Sequence, residues 1–155
     1  ENITYGIEGD RECLIKAKNI VRSLKGNAVI IPKKNKALYH LSAVFVSNFL
    51  ITLINSSDKM LSEFVNDDKT RKKILEPIII QSVRNILNFN YDKILTGPVL
   101  RGDVNTVLRH LDTLDKFDKD YSGLYKSISN LILKFSEDRI PLPERKKIKN
   151  IFNSK

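Results

Sequence analysis

One stretch constrains this chain more than any other. Ala43 to Ile54 is apolar except for Ser47, Asn48 and Thr52. It lies within a longer segment of helical periodicity, Lys36 to about Val65, with no Lys between Lys36 and Lys59. A helix that is apolar nearly all round belongs inside a structure, so this one is expected to be buried on most sides. The fold around it is therefore expected to be mainly helical, and the helix is too apolar for one small domain to cover, so self-association is expected as well. Its longest apolar run is broken by polar residues and falls short of the roughly 18–20 residues of a membrane span. No membrane partner is expected.

The segment before it reads differently. Ile3 to Ile7 has the pattern of a short strand, ending in Glu8-Gly9-Asp10. Asp10 is placed to cap a helix from Arg11 to Leu24, whose apolar face is Leu14, Ala17, Val21 and Leu24. Gly26 is expected to stop that helix, and Ala28 to Ile31 forms a second strand closed by Pro32. Strand, helix, strand in about 30 residues is a βαβ unit, which normally belongs to a larger parallel sheet. Two short strands alone make a poor sheet, so the chain reads as the later part of a longer protein. Residues 1–33 form its terminal βαβ segment and residues 34–155 a helical domain.

Downstream, Asn66-Asp67-Asp68 is a break and a cap, and Lys69 to Phe89 is a helix that Pro77 is expected to bend. Thr96-Gly97-Pro98 and Arg101-Gly102-Asp103 fall in a connection, with Asp103 capping a helix from Val104 to Phe117. Tyr121 to Ser136 follows, with Leu124, Ile128, Leu131 and Phe135 along one side. After Pro141 and Pro143, Glu144 to Phe152 reads as a basic, frayed terminal helix.

The net charge of +9 raises the question of nucleic acid. The lysines are scattered in small clusters without an interleaved aromatic stripe, which is the pattern of a solvated surface. No specific nucleic acid is expected; a basic helical module remains the third-ranked reading. A single cysteine, Cys13, excludes a disulfide framework and fits a reducing, cytoplasmic setting. Gly97 to Gly102 has the glycine spacing of a phosphate-binding loop, but Asp103 and Val104 stand where Lys and Ser or Thr are required. There is no dinucleotide glycine fingerprint. His40 and His110 lack the partners of a metal site, so no metal is expected.

Two constellations survive. Tyr39, His40, Ser47 and Asn48 are polar residues within the most apolar helix. His40 and Ser47 project within about 20° of each other, and Asn48, Thr52 and Asn55 form an adjoining stripe. Polar groups on a buried helix need partners, supplied either by neighbouring helices and water or by a substrate in a cleft. At the second, Arg101 beside a helix start suits a carboxylate or phosphate, whereas a plain turn with a capping Asp103 is the competing reading.

At these residues a family becomes recognisable. Gly6 to Asp10, Leu38 to Phe49 and Leu95 to Asp103, in this order, resemble the C-terminal domain of the Rossmann-like proteins that carry the domain of unknown function 2520. That family is similar to ketopantoate reductase, pyrroline-5-carboxylate reductase and F420-dependent NADP reductase. The resemblance implies an N-terminal Rossmann domain holding NADP or NAD, and a helical domain of the 6-phosphogluconate dehydrogenase C-terminal type that closes the cleft and forms a homodimer. The strands at the start of this chain would complete the Rossmann sheet. In the related dehydrogenases Lys and Asn on the first long C-terminal helix line the active site; here the comparable helix carries His40, Ser47 and Asn48. His40 is then the candidate proton donor, since imidazole titrates nearest neutrality. Asn48 and Ser47, with Thr96 and Arg101, are candidates to bind a small acidic or carbonyl or imine substrate. On this reading the chain is the substrate-side and dimerisation domain of an oxidoreductase-like protein, inactive alone. The alternative is a non-catalytic ligand-sensing or assembly domain.

Overall fold

Two strands open the chain. β1 (Thr4–Ile7) and β2 (Asn27–Ile30) run parallel, with Thr4 opposite Asn27 and Ile7 opposite Ile30. The helix between them, α1 (Arg11–Ser23), is capped by Asp10, whose carboxylate accepts from the Cys13 N–H at 2.8 Å. It closes with Lys25 in the left-handed region (φ 56°), while the Gly26 N–H returns to the Val21 carbonyl. The left-handed position thus falls on Lys25 and not on the glycine expected there. Gly26 serves another need: a Cβ there would stand 2.6 Å from the Tyr5 ring and 2.8 Å from the Ile3 carbonyl oxygen.

This computed structural model describes residues 3–153. After a 3-10 turn at Lys33–Asn35, α2 (Lys36–Val44) passes through a π-helical turn (Phe45–Phe49) into α3 (Leu50–Ser62). Three labels describe one continuous helix, ending three residues before the Val65 expected. It reaches the length and apolarity that the sequence reading denied it. Lys33–Ser62 contains an 18-residue window of mean hydropathy 1.8, enough by length and composition to cross a membrane. The expected burial is also absent within the chain. From Lys36 to Ile54 only Val44 and Ile54 are even partly buried. Periodicity reveals that a helix is apolar, but what covers it depends on surfaces that need not belong to the same chain.

α4 (Asp68–Asn88) holds Pro77 in its interior. Asp67 caps it, accepting from both the N–H and the hydroxyl of Thr70. Arg71 ties the α3–α4 turn together through Asp58 at 2.9 Å and the carbonyls of Val65 and Asn66 at 3.0 Å. The chain divides at this proline into two compact units, Glu1–Pro77 and Ile78–Lys155. The passage from strands to helix near residue 33 therefore lies inside the first unit.

The second unit holds α5 (Tyr91–Ile94), α6 (Val104–Phe117), α7 (Lys119–Phe135) and α8 (Leu142–Asn153). Its core joins Val99 and Leu100 from the connection to Val107 and Leu111 of α6, Leu133 of α7, and Ile148 and Phe152 of α8. α8 was expected to fray. Instead Ile148 and Phe152, four residues apart on one face, are buried, and the lysines around them stay in water.

Candidate functional site

The first unit brings a group of polar side chains to the carboxyl ends of its two strands. Glu8, directly after β1, forms an ion pair with Lys36 at the start of α2. Three residues on, the Tyr39 ring lies over Gly6: a Cβ at Gly6 would stand 2.8 Å from both Cζ and the hydroxyl oxygen of Tyr39. The first turns of the long helix are thereby docked where open α/β sheets bind ligands, beyond the carboxyl ends of parallel strands. His40 follows Tyr39. It is exposed, and among the described residues its imidazole has no hydrogen-bond partner. Lys36 and Glu8 were not among the expected site residues, and Tyr39 was singled out only as one of the polar residues of this helix. The available signal was Gly6-Ile7-Glu8-Gly9 at the end of a strand.

The π-turn carries the other two candidates of this helix. The Ser47 hydroxyl lies 2.7 Å from the Ala43 carbonyl oxygen and competes for the helix ladder, and the Phe45 and Phe49 rings meet edge-on at 4.8 Å. Such turns are frequent at functional sites. The same Ser47 hydroxyl is 3.0 Å from the Asn48 side-chain oxygen. Ser42, Thr52, Ser56 and Ser57 likewise donate to carbonyls of their own helix. The hydroxyls of the strip are therefore satisfied locally, which makes Ser47 a weaker ligand than the sequence suggested. Asn48 and Asn55 differ: both are exposed, and among the described residues the Asn48 amide nitrogen and the Asn55 side chain have no hydrogen-bond partner. His40, Asn48 and Asn55 are groups on this helix with bonding capacity to spare.

Thr96 and Arg101 belong to the second unit. Gly97 (φ 112°) and Gly102 (φ 71°) take left-handed conformations that bend the segment, and the Asp103 N–H donates to the Pro98 carbonyl at 2.9 Å. Val99 and Leu100 plug into the core, leaving Thr96 and Arg101 exposed at either side. Asp103 caps α6 by accepting from the Thr106 N–H at 3.0 Å and the Thr106 hydroxyl at 2.7 Å. These hydrogen bonds, the hydroxyl's first, with Arg101 and Arg109 nearby, hold the Asp103 carboxyl below its ordinary range. The chain's own carboxylate already stands at this helix start, the place proposed for an external anion.

The second unit also has an open cavity of about 840 Å³, within the range of small-molecule pockets. Ile86, Ile94, Leu95, Ile128, Leu131 and Phe135 dominate its walls, with Ser82, Asn85 and Ser136 as polar points. None of the expected site residues lines it. Its α7 wall is the apolar stripe that periodicity assigned to packing. It can hold an apolar body, and among the described residues no charged or imidazole group lines it for proton transfer. Among the described residues no cluster of three His, Cys, Asp or Glu side chains is arranged to hold a metal ion.

Comparison with known proteins adds two findings. The family described as Domain of unknown function (DUF2520) matches residues 3–132. The crystal structure of protein TM1727 from Thermotoga maritima is similar, with a TM-score of 0.76 and 28% identity over 87% of this chain. The match covers 53% of that protein, so this chain spans about half its length. No curated protein matches.

Proposed function

We propose, starting from the fact that this chain belongs to the DUF2520 family, that it is the substrate-side domain of an NAD(P)-dependent oxidoreductase-like protein. The observation that carries the reading is the docking of α2 at the carboxyl ends of β1 and β2, through Tyr39 on Gly6 and Lys36 on Glu8. From one helix it presents an imidazole, His40, and an amide nitrogen, that of Asn48, each without a partner among the described residues. The residues fit one end of a nicotinamide cofactor and not the other. Exposed donors beside a sheet edge suit the nicotinamide and a small carbonyl or imine substrate. The turn after β1, Glu8-Gly9-Asp10, lacks a phosphate-binding loop, so the pyrophosphate belongs on a separate Rossmann domain.

When bound, the cofactor supplies hydride. His40 holds the proton that the reduced oxygen or nitrogen takes up. Asn48 orients the substrate or the carboxamide, and Ser47 fixes the Asn48 side-chain oxygen. The experiment is a fluorescence titration of NADPH against the intact protein and against this chain alone. The intact protein is expected to bind saturably and the chain alone poorly. Failure of the intact protein to bind, or micromolar binding by the chain alone, overturns the reading. A second reading, a non-catalytic assembly domain, draws on the self-satisfied hydroxyls of the strip; it predicts that His40→Ala changes no turnover of the intact protein.

A further inference from the structure

The open cavity of the second unit takes no part in the reaction proposed for the first. The second half of α4, α5 and α7 wall it, and its volume of about 840 Å³ suits a small molecule. Ile128, Leu131, Ile132 and Phe135 line it at spacings of three and four, the single face of α7. Leu95 and Ile132 also pack against the core around Val107 and Ile148, so this part of the wall is fixed by the fold. We propose that the cavity binds an uncharged, largely apolar small molecule that carries a carbonyl-type oxygen, such as an ester, an amide or a ketone.

The charge of the lining decides against an ionic ligand. Charged residues make up 29% of the chain, yet among the described residues no Lys, Arg, Asp, Glu or His lines the cavity. A carboxylate, phosphate or ammonium placed there would lose water without gaining a counter-charge, a cost that apolar contact does not recover. The polar points select the rest. Ser82 and Asn85, three residues apart, share one face of α4. The Asn85 side-chain oxygen accepts from Gln81 Nε2 at 2.7 Å, so its acceptor is engaged. Among the described residues the Asn85 Nδ2 group has no partner, and it is a donor only. A free amide donor in an apolar wall matches an acceptor on the ligand, which is a carbonyl oxygen.

A protein segment is the competing occupant, and the depth of the cavity argues against it. The lining runs from Phe135, 71% exposed, to its neighbour Ser136, only 4% exposed. Asn85, Ile94, Leu95 and Ile132 are partly buried between these extremes. The cavity therefore has an accessible edge and a narrow bottom. A slender alkyl or aromatic body reaches that bottom, whereas a helix about 10 Å across with its side chains would rest on the edge.

The test uses the intact protein and prodan, an uncharged naphthalene ketone whose fluorescence shifts to the blue when it leaves water. Saturable binding is expected, with the anionic 1-anilinonaphthalene-8-sulfonate weaker by about tenfold. Leu131→Trp, which fills the cavity from its α7 wall, is expected to weaken prodan on the order of tenfold. Asn85→Asp, which replaces the donor with a carboxylate, is expected to weaken it by about fivefold to tenfold. Helical circular dichroism checks that both variants fold. Should Leu131→Trp lose helicity, Asn85→Asp, at a partly exposed helix position, gives the decisive measurement. Val46→Lys, on the apolar helix of the first unit, is expected to change nothing; a loss there places prodan on that helix and overturns the proposal. So does the absence of saturable binding, an affinity that both lining variants leave unchanged, or sulfonate binding as tight as that of prodan. An affinity that falls as protein concentration rises gives the cavity to a second chain and overturns it too.

Discussion

Replacing Ile148 by Ala tests whether α8 is part of the core of the second unit. Ile148 is 0% exposed and packs among Val107, Leu111, Leu133 and Phe152. The substitution removes three carbon groups, worth about 2.4 kcal/mol at ~0.8 kcal/mol per buried group. The cavity left behind adds to this, because helices on three sides relax only partly, giving about 3–4 kcal/mol within the usual ~2–5 kcal/mol range. For a unit of roughly 60–100 residues each kcal/mol moves the melting temperature by about 4–8 °C. A fall of about 12–32 °C is therefore expected in a circular-dichroism melt. Lys147→Ala, on the same helix but exposed, is the control and is expected to change stability by no more than ~0.5 kcal/mol. If Ile148→Ala melts within about 3 °C of wild type, the helix frays in solution and its burial contributes nothing.

Two further outcomes follow from the geometry. Asp10, Asp67 and Asp103 each cap a helix, and their carboxyls are held below the ordinary range chiefly by hydrogen bonds from Cys13, Thr70 and Thr106 respectively. A depressed folded value means that the stabilisation is complete above the unfolded aspartate range and is lost as pH falls through the lower folded values. The melting temperature is expected to drop across that acid interval, and the triple Asp→Asn variant, which keeps capping oxygens, to flatten the slope; an unchanged slope refutes the assignment. Gly6→Val places a Cβ 2.8 Å from the Tyr39 ring and 3.1 Å from Ile31 Cγ1. Although Val favours strands, it is expected to destabilise the first unit and shift the Tyr39 ring resonances in NMR, and unmoved resonances count against the docking of α2 on the sheet.

Local signals in the sequence were read well, and signals that depend on partners were not. The capping roles of Asp10, Asp67 and Asp103 follow from one side chain and the N–H three residues on, a relation contained in a single turn. The βαβ order and the helix from Val104 to Phe117 come from periodicity of the same short range. The C-terminal helix was misread because its lysines dominate its composition, while its two buried anchors, Ile148 and Phe152, occupy one narrow face. The left-handed Lys25 was missed because glycine is the ordinary expectation at that place, and here close approach of Tyr5 claims the glycine instead. For the site, the helix bearing His40, Ser47 and Asn48 was legible from its polar strip. The Glu8–Lys36 pair and the Tyr39–Gly6 contact were not, because they join residues 28 and 33 positions apart in sequence.

The π-turn links these observations. A π-turn holds about one residue more than an α-turn, so every side chain after it is turned back by roughly 100° relative to an uninterrupted helix. Without it, Thr52 would project about 120° from His40; with it, the two come within about 20°. Asn55 moves likewise, from about 60° on one side of His40 to about 40° on the other. One local irregularity, at Phe45–Phe49, thus gathers the polar side chains from before and after it into a single strip. The same rotation keeps Leu53 near the line of Leu38 and Phe45, so the apolar ridge they form stays continuous on the opposite side. A straight helix with this sequence would wind the polar residues across the ridge and leave neither face intact. The π-turn is therefore the feature that lets one helix keep a polar strip on one side and an apolar ridge on the other.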